Sequence, residues 1–402
     1  MAKKTAVKEE VKLEPSRSGF TLIGNVKLTD NTFPAESTSK GGFISRRLNL
    51  GVEIGEGKVS YAEMFGGFHR DKPRDIIAFQ KASEGEDKGS RLEVAWEDRL
   101  SLDEATFATI ADFSLLTVAL EKDSSGKTFY KKFLSAFDAI MYMEEHLKDG
   151  MKVKVKGKLS PNYYNGKTTI RKEITYIGLA KEDELPSATG YINILVDKNS
   201  VGKSRIKQDD ELDINGLMVA YASKVGDVEV KKNVPFPISL VLPLQSDVDD
   251  KVIKGKINRV LQMLAVKGNG VNEIGLDIEF EEGVLVRQAT LEDLDKDSRQ
   301  LVEDGIISLE DAVGKVSVSG GRMNRVIVRQ PQVKREDVDG KPQIRLVNIE
   351  NKYTLEDVSF SFEDVKPEVK EEVTEEQLDN YFADSTSGDT DTADLLSSLG
   401  IM

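Results

Sequence analysis

A chain of 402 residues, 39% hydrophobic and 31% charged, is long enough for two compact domains with tails, and no run of 18 apolar residues offers an ordinary membrane-spanning helix. The absence of cysteine removes disulfides, cysteine-based zinc sites and thiol chemistry together, and agrees with a reducing, cytoplasmic setting. The formal charge of −14 is unevenly placed: residues 363–402 hold twelve Asp or Glu and two Lys, which leaves −4 for the other 362 residues. A nearly neutral body with an acidic extension is the pattern of an interaction tail.

Residues 1–18 contain lysines with no apolar core after them, so a disordered arm is expected rather than a secretory signal. A first strand-rich unit spans 19–180. Its segments GFTLIGNVKLTD, GGFISRRLNLGVEIG and VSYAEMFGGF combine β-branched and aromatic residues with Gly, Asn and Asp punctuation. One helix is expected at SAFDAIMYMEEHLKDG. Ser135 and Asp138 have capping-box spacing, Phe137, Ile140, Met141 and Leu147 share a face, and Gly150 marks the end.

Residues 181–189 read as a linker, and a second strand-rich unit covers 190–362 with strands at TGYINILVD, NGLMVAYASKV and FPISLVLPL. Ile253, Ile257, Val260, Leu261 and Leu264 predict a helix by their spacing; Thr290, Asp293 and Gly305 bracket another, and SLEDAVGK suggests a short third. Strands are expected at KVSVSG, RVIVRQ and IRLVNI. Both units set one convincing helix among strands, without a fixed-period repeat. Residues 363–402 are too polar to offset chain entropy and are expected to be a disordered tail. Its tip is apolar: Leu395, Leu396, Leu399, Ile401 and Met402, suited to docking on a partner protein.

Catalytic patterns are missing. NSVGKS ends like a phosphate-binding loop, but the required first glycine is Asp197, so a turn is expected. His69 and His146 are the only histidines and neither has metal-ligand spacing. No serine sits in a tight glycine-framed turn. Binding rather than catalysis is expected, with no metal and no cofactor.

The positive signal is MKVKVKGKLSPNYYNGKTTIRK, residues 151–172, with seven Lys or Arg and no acid. Strand alternation puts Lys152, Lys154, Lys156 and Lys158 opposite Met151, Val153 and Val155, with same-face neighbours about 7 Å apart. Tyr163 and Tyr164 follow, and the return strand adds Lys167, Arg171 and Lys172. Cations neutralise phosphates and rings stack on unpaired bases; lysines also protect strand edges from aggregation, a competing reading. A second patch interleaves Phe43, Arg46, Arg47, Phe65, Phe68 and Arg70, with Phe65 and Phe68 also readable as core and Trp96 assigned to the core. In the second unit Arg322, Arg325 and Arg329 lie in a run, 317–334, that has no acid.

The order strands, helix, then LKDGMKVKVKGKLSPNYYNGKTTIRKEITYIGL resembles the closing part of an oligonucleotide-binding (OB) barrel, with its V-x-V-x-G core. The acidic tail is similar to that of bacterial and phage single-stranded DNA-binding proteins, although LLSSLGIM departs from their Asp-rich end closing in Pro-Phe. The resemblance implies a mainly β, α+β chain of two OB-like barrels joined by a short linker. It implies sequence-independent binding and protection of single-stranded DNA in replication, recombination and repair, in the (host) cytoplasm. Replication or recombination proteins would be recruited by the tail, and a homo-oligomer is compatible. The alternatives are a β-rich structural or assembly protein of a virion and, third, a metal-dependent nuclease.

Overall fold

The computed structural model describes residues 11–362 except 83–88, 203–210, 226–227, 245–249, 289–290, 292–293, 314–316 and 339–340. The expected acidic tail with its apolar tip lies outside the described residues, as do Thr290 and Asp293.

The first strands are β1 (Ser18–Lys27), β2 (Ser37–Thr38), β3 (Phe43–Gly55) and β4 (Lys58–His69). An insertion follows: β5 (Ile76–Phe79), β6 (Arg91–Val94), α1 (Glu104–Thr109), β7 (Leu116–Lys122) and β8 (Thr128–Phe133). Then come α2 (Ala136–His146), β9 (Lys152–Tyr164) and β10 (Lys167–Leu179). Alternation decides the inner wall: Leu48, Leu50 and Val52 of β3, Ala62 and Met64 of β4, and Val153 and Val155 of β9 are buried.

These strands close into a five-membered ring. β1 is antiparallel to β3 at Asn25–Lys27 and to β9 at Phe20–Asn25; β3 pairs with β4, and β9 with β10. The ring closes where β10 runs parallel to β4, Glu173 opposite Glu63. This is the order of an OB barrel, with α2 between its third and fourth strands. Gly157 of the V-x-V-x-G run is required by the closure, since a Cβ there would lie 1.8 Å from the Glu173 carbonyl oxygen.

Ser135 caps α2 as expected, accepting from the Phe137 N–H at 3.1 Å. Asp138 does not complete a capping box; its carboxylate takes two bonds from Arg99, at 2.7 and 2.9 Å. Ile140 and Met143 plug the barrel, whereas Met141, expected on the buried face, is exposed.

The second half repeats the design. Its elements are β11 (Ser187–Val196), β12 (Val201–Gly202), β13 (Glu211–Val225), β14 (Val228–Pro243), α3 (Asp250–Met263) and β15 (Gly270–Gln288). They are followed by α4 (Lys296–Glu303), α5 (Leu309–Val313) and β16 (Ser317–Pro331). β11 pairs with β13 and β15, β13 neighbours β14, β15 pairs with β16, and β14 is parallel to β16 at Val241 and Ile327. The ring order is that of the first barrel, with α3 in the place of α2. Asp295 caps α4, and Gly305 ends it at φ +71°. A hairpin, β17 (Val333–Val338) and β18 (Lys341–Leu346), follows, and β19 (Asn348–Thr354) joins β15.

The first strands of the two rings pair with each other, antiparallel, with Gly19 opposite Tyr191 and Phe20 opposite Gly190. A Gly-Phe pair therefore meets a Gly-Tyr pair head to tail, the local two-fold relation of a repeated module. A Cβ on Gly19 would stand 2.7 Å from the Tyr191 ring, so glycine there lets that ring lie across the pairing.

Part of the expected N-terminal arm is packed. Leu13 is buried with Val271 and Tyr353, the Glu14 N–H donates to the Tyr353 hydroxyl at 2.9 Å, and the Ser16 N–H to the Val219 carbonyl at 2.8 Å. The compact body runs to Phe360 without Ala222–Lys232; that segment belongs to a second unit, within which Lys231 pairs with Glu229 at 2.9 Å. No helix among the described residues is long and apolar enough to cross a membrane.

Candidate nucleic-acid interface

The hairpin of β3 and β4 sorts the predicted residues by parity. Its register sets Phe43 opposite His69, Arg47 opposite Phe65, Asn49 opposite Glu63 and Gly51 opposite Tyr61, all on the outward side. The Phe43 and Phe65 rings lie 6.3 Å apart at 31°, and the Phe43 ring meets His69 edge-on at 5.1 Å. The Arg47 guanidinium sits 5.4 Å from the Phe65 centroid. Phe65 is 52% exposed and Tyr61 58%, large values for rings in the middle of a strand.

The parallel pairing of β10 with β4 delivers Arg171 to the same surface. Glu63 then lies between two guanidinium groups, 3.2 Å from Arg171 and 3.7 Å from Arg47. Beyond it opens a groove of about 730 Å³ whose lining includes Asn49, Tyr61, Arg171, Glu282 and Asn324. At the far end of β9 and β10, Asn165 (φ +48°) and Gly166 (φ +77°) make a two-residue hairpin turn. The expected loop there is thus a tight turn, leaving Tyr164 71% exposed beside it, with Lys167 exposed and Tyr163 half-buried.

Residues of the opposite parity turn inward, which corrects part of the expected site. Phe68 stacks on Trp96 at 4.5 Å and meets Phe137 edge-on at 5.3 Å, so it belongs to the core with Trp96. Arg46 bonds Glu144 at 2.7 Å and Glu36 at 3.3 Å. Lys172 is buried, paired with Glu282 and 4.2 Å from the Phe280 ring. Burial pushes its ammonium pKa down, with Glu282 opposing. It ties the rings together rather than facing solvent.

The β9 lysines also divide. Lys152 donates to the Glu182 carbonyl at 2.6 Å and Lys154 pairs with Glu184. Lys156 and Lys158 are exposed, and among the described residues neither is paired with a carboxylate. Arg70 is exposed just past β4, its N–H bonded to the Gly42 carbonyl.

The basic run of the second unit does not form a free cationic track. Arg325 is held by Glu281 at 2.6 Å and Glu211 at 2.7 Å, and Arg329 lies 3.4 Å from Glu279. Burial works against the Arg325 charge, but these carboxylates more than compensate and raise its pKa. The side chain of Arg322 lies outside the described residues. The P-loop look-alike opens on a turn, where Asp197 accepts from the Asn199 N–H at 2.7 Å, and Val201–Gly202 form β12; Lys203 and Ser204 lie outside the described residues.

Tyr61, Asn49 and Glu63 were not singled out by sequence. The signal was present in VSYAEMF, where apolar Ala62 and Met64 alternate with Tyr61, Glu63 and Phe65.

Strand order and this outward face define an OB-barrel chain with a surface of rings and guanidinium groups. A family model described as YorF matches residues 103–266. Among solved structures the chain is similar to a deletion mutant of the single-stranded DNA binding protein from Thermus aquaticus, at 9% identity and a TM-score of 0.29, over 81% of this chain and 97% of that one. No curated protein matches.

Proposed function

We propose that the chain binds single-stranded DNA on the outward face of β3, β4 and β10, without making or breaking covalent bonds. One observation carries this reading: Phe43 and Phe65 stand side by side with Arg47 and Arg171 on the surface that OB barrels use for oligonucleotides. Bases stack on the rings, at roughly 1–3 kcal/mol each, and phosphates take the guanidinium groups from Glu63. Both interactions accept any base, so little sequence preference follows. Lys158, Tyr164 and Lys167 flank this path.

In the same reading the modules are 19–180 and 190–362, joined at 181–189, and the chain coats DNA during replication, recombination or repair. The acidic residues 363–402 recruit partner proteins through Leu395, Leu396, Leu399, Ile401 and Met402. Fluorescence anisotropy with oligo-dT at two salt concentrations tests the central point. Affinity falls steeply as salt rises, because displaced counterions drive part of binding. Absent binding, or an affinity indifferent to salt, overturns it.

A further inference from the structure

The insertion between β4 and α2 contains KTFYKKF, residues 127–133, an aromatic and basic run without an acid. It forms β8, at the end of the sheet: β8 pairs with β7, and β7 runs parallel to β10 at Tyr176–Gly178. The insertion therefore prolongs the barrel wall beyond the point where β4 leaves it.

Side-chain parity places one face of this extension. Along β10, Arg171 and Glu173 point outward; the irregularity between Ile174 and Tyr176 inserts one residue and leaves Tyr176 on the same side. Directly paired residues share a face, so Lys156, Tyr176, Thr117 and Lys132 form one row across β9, β10, β7 and β8. Tyr130, two residues from Lys132, shares it and is 58% exposed. The Lys156 ammonium is 5.7 Å from the Tyr176 ring, and Lys132 pairs with Asp112 at 2.8 Å. Burial, then the nearby Tyr130 and Glu184, push the Tyr176 hydroxyl pKa up. Five residues of strand separate Arg171 from Tyr176, about 16 Å.

Resting on the proposed function, we infer that Tyr130, Tyr176 and Lys156 form a second stacking station, onto which a DNA strand leaving the Phe43–Phe65 face continues across β10. The occupant is the same polyanion because the row repeats the composition of the first face, ring beside cation, on the same continuous wall. Phe129, 50% exposed on the other side of β8, is not part of the path and supplies a matched control.

The test titrates full-length chain with oligo-dT of about 8 and about 30 nucleotides, lengths that bracket one OB site. Tyr130→Ala, Lys156→Ala and Phe129→Ala are compared with the unaltered chain after thermal melts establish that each is folded. Tyr130→Ala and Lys156→Ala should leave the short oligonucleotide within twofold, weaken the long one roughly tenfold, and reduce the nucleotides occluded per chain. Phe129→Ala should change neither. Unchanged long-strand affinity and occlusion in Tyr130→Ala and Lys156→Ala overturn the station while the first face stands, as does an equal loss at both lengths. Protein association through the open edge of β8, lost in Tyr130→Ala without any change in DNA occlusion, also overturns it. Failure of the unaltered chain to bind either length removes the underlying reading itself.

Discussion

Glu63 is the residue on which the outward face turns, because Arg47 and Arg171 both lean on it at 3.7 and 3.2 Å. A phosphate entering the site must compete with that carboxylate. Glu63→Gln keeps the shape and removes the competitor, so affinity for oligo-dT should rise several-fold, read by anisotropy at low salt, where surface charges are least screened. A weaker complex would mean that Glu63 holds the arginines in place for DNA. Phe65 and Phe68 make the complementary case. Phe68, wedged between Trp96 and Phe137, is structural, and Phe68→Ala should cost about 3 kcal/mol in a denaturant melt while the folded protein still binds DNA. Phe65→Ala should do the reverse. At this scale the sequence was half legible: it marks where rings and cations gather, but it does not separate Arg46 from Arg47 or Arg171 from Lys172. Neighbours on a strand face opposite ways, and only knowing which side is core assigns each.

Among the elements, α2 and the strand pair β9 and β10 were readable because local patterns dictate them: a serine cap, apolar spacing and alternating valines. The basic run 317–334 was legible as a strand and misleading as a site. Its charge is answered by Glu279 and Glu281, which β15 brings alongside through pairing that no local window contains. The segment at 11–17, expected within a disordered arm, is packed for the same reason: its partners Val219, Val271 and Tyr353 are more than 200 residues away. That segment is also held by Glu14, whose carboxyl the Lys352 ammonium keeps below the usual range by hydrogen bond and charge. A carboxylate with a depressed folded pKa contributes stability above its unfolded pKa and loses it as pH falls through the folded one. Hydrogen exchange at residues 13–17 should therefore be slow at neutral pH and should speed up in acid, beyond the intrinsic change in exchange rate, before the barrels unfold. Protection that persists through that range would show the apolar contacts of Leu13 to be sufficient alone.

For the whole molecule, two rings of the same strand order are joined through β1 and β11 into a repeated architecture. The repeat has no fixed period in sequence because the first copy carries the insertion from β5 to β8 and the second carries α4 and α5 between its last two strands. The most direct measurement is a titration of oligo-dT into full-length chain and into a Phe43→Ala/Phe65→Ala double variant, at the same low salt, with folding verified by circular dichroism. The account predicts tight binding by the first and a loss of at least tenfold in the second, since two stacking rings at roughly 1–3 kcal/mol each are removed. Equal affinity in the two proteins would contradict it.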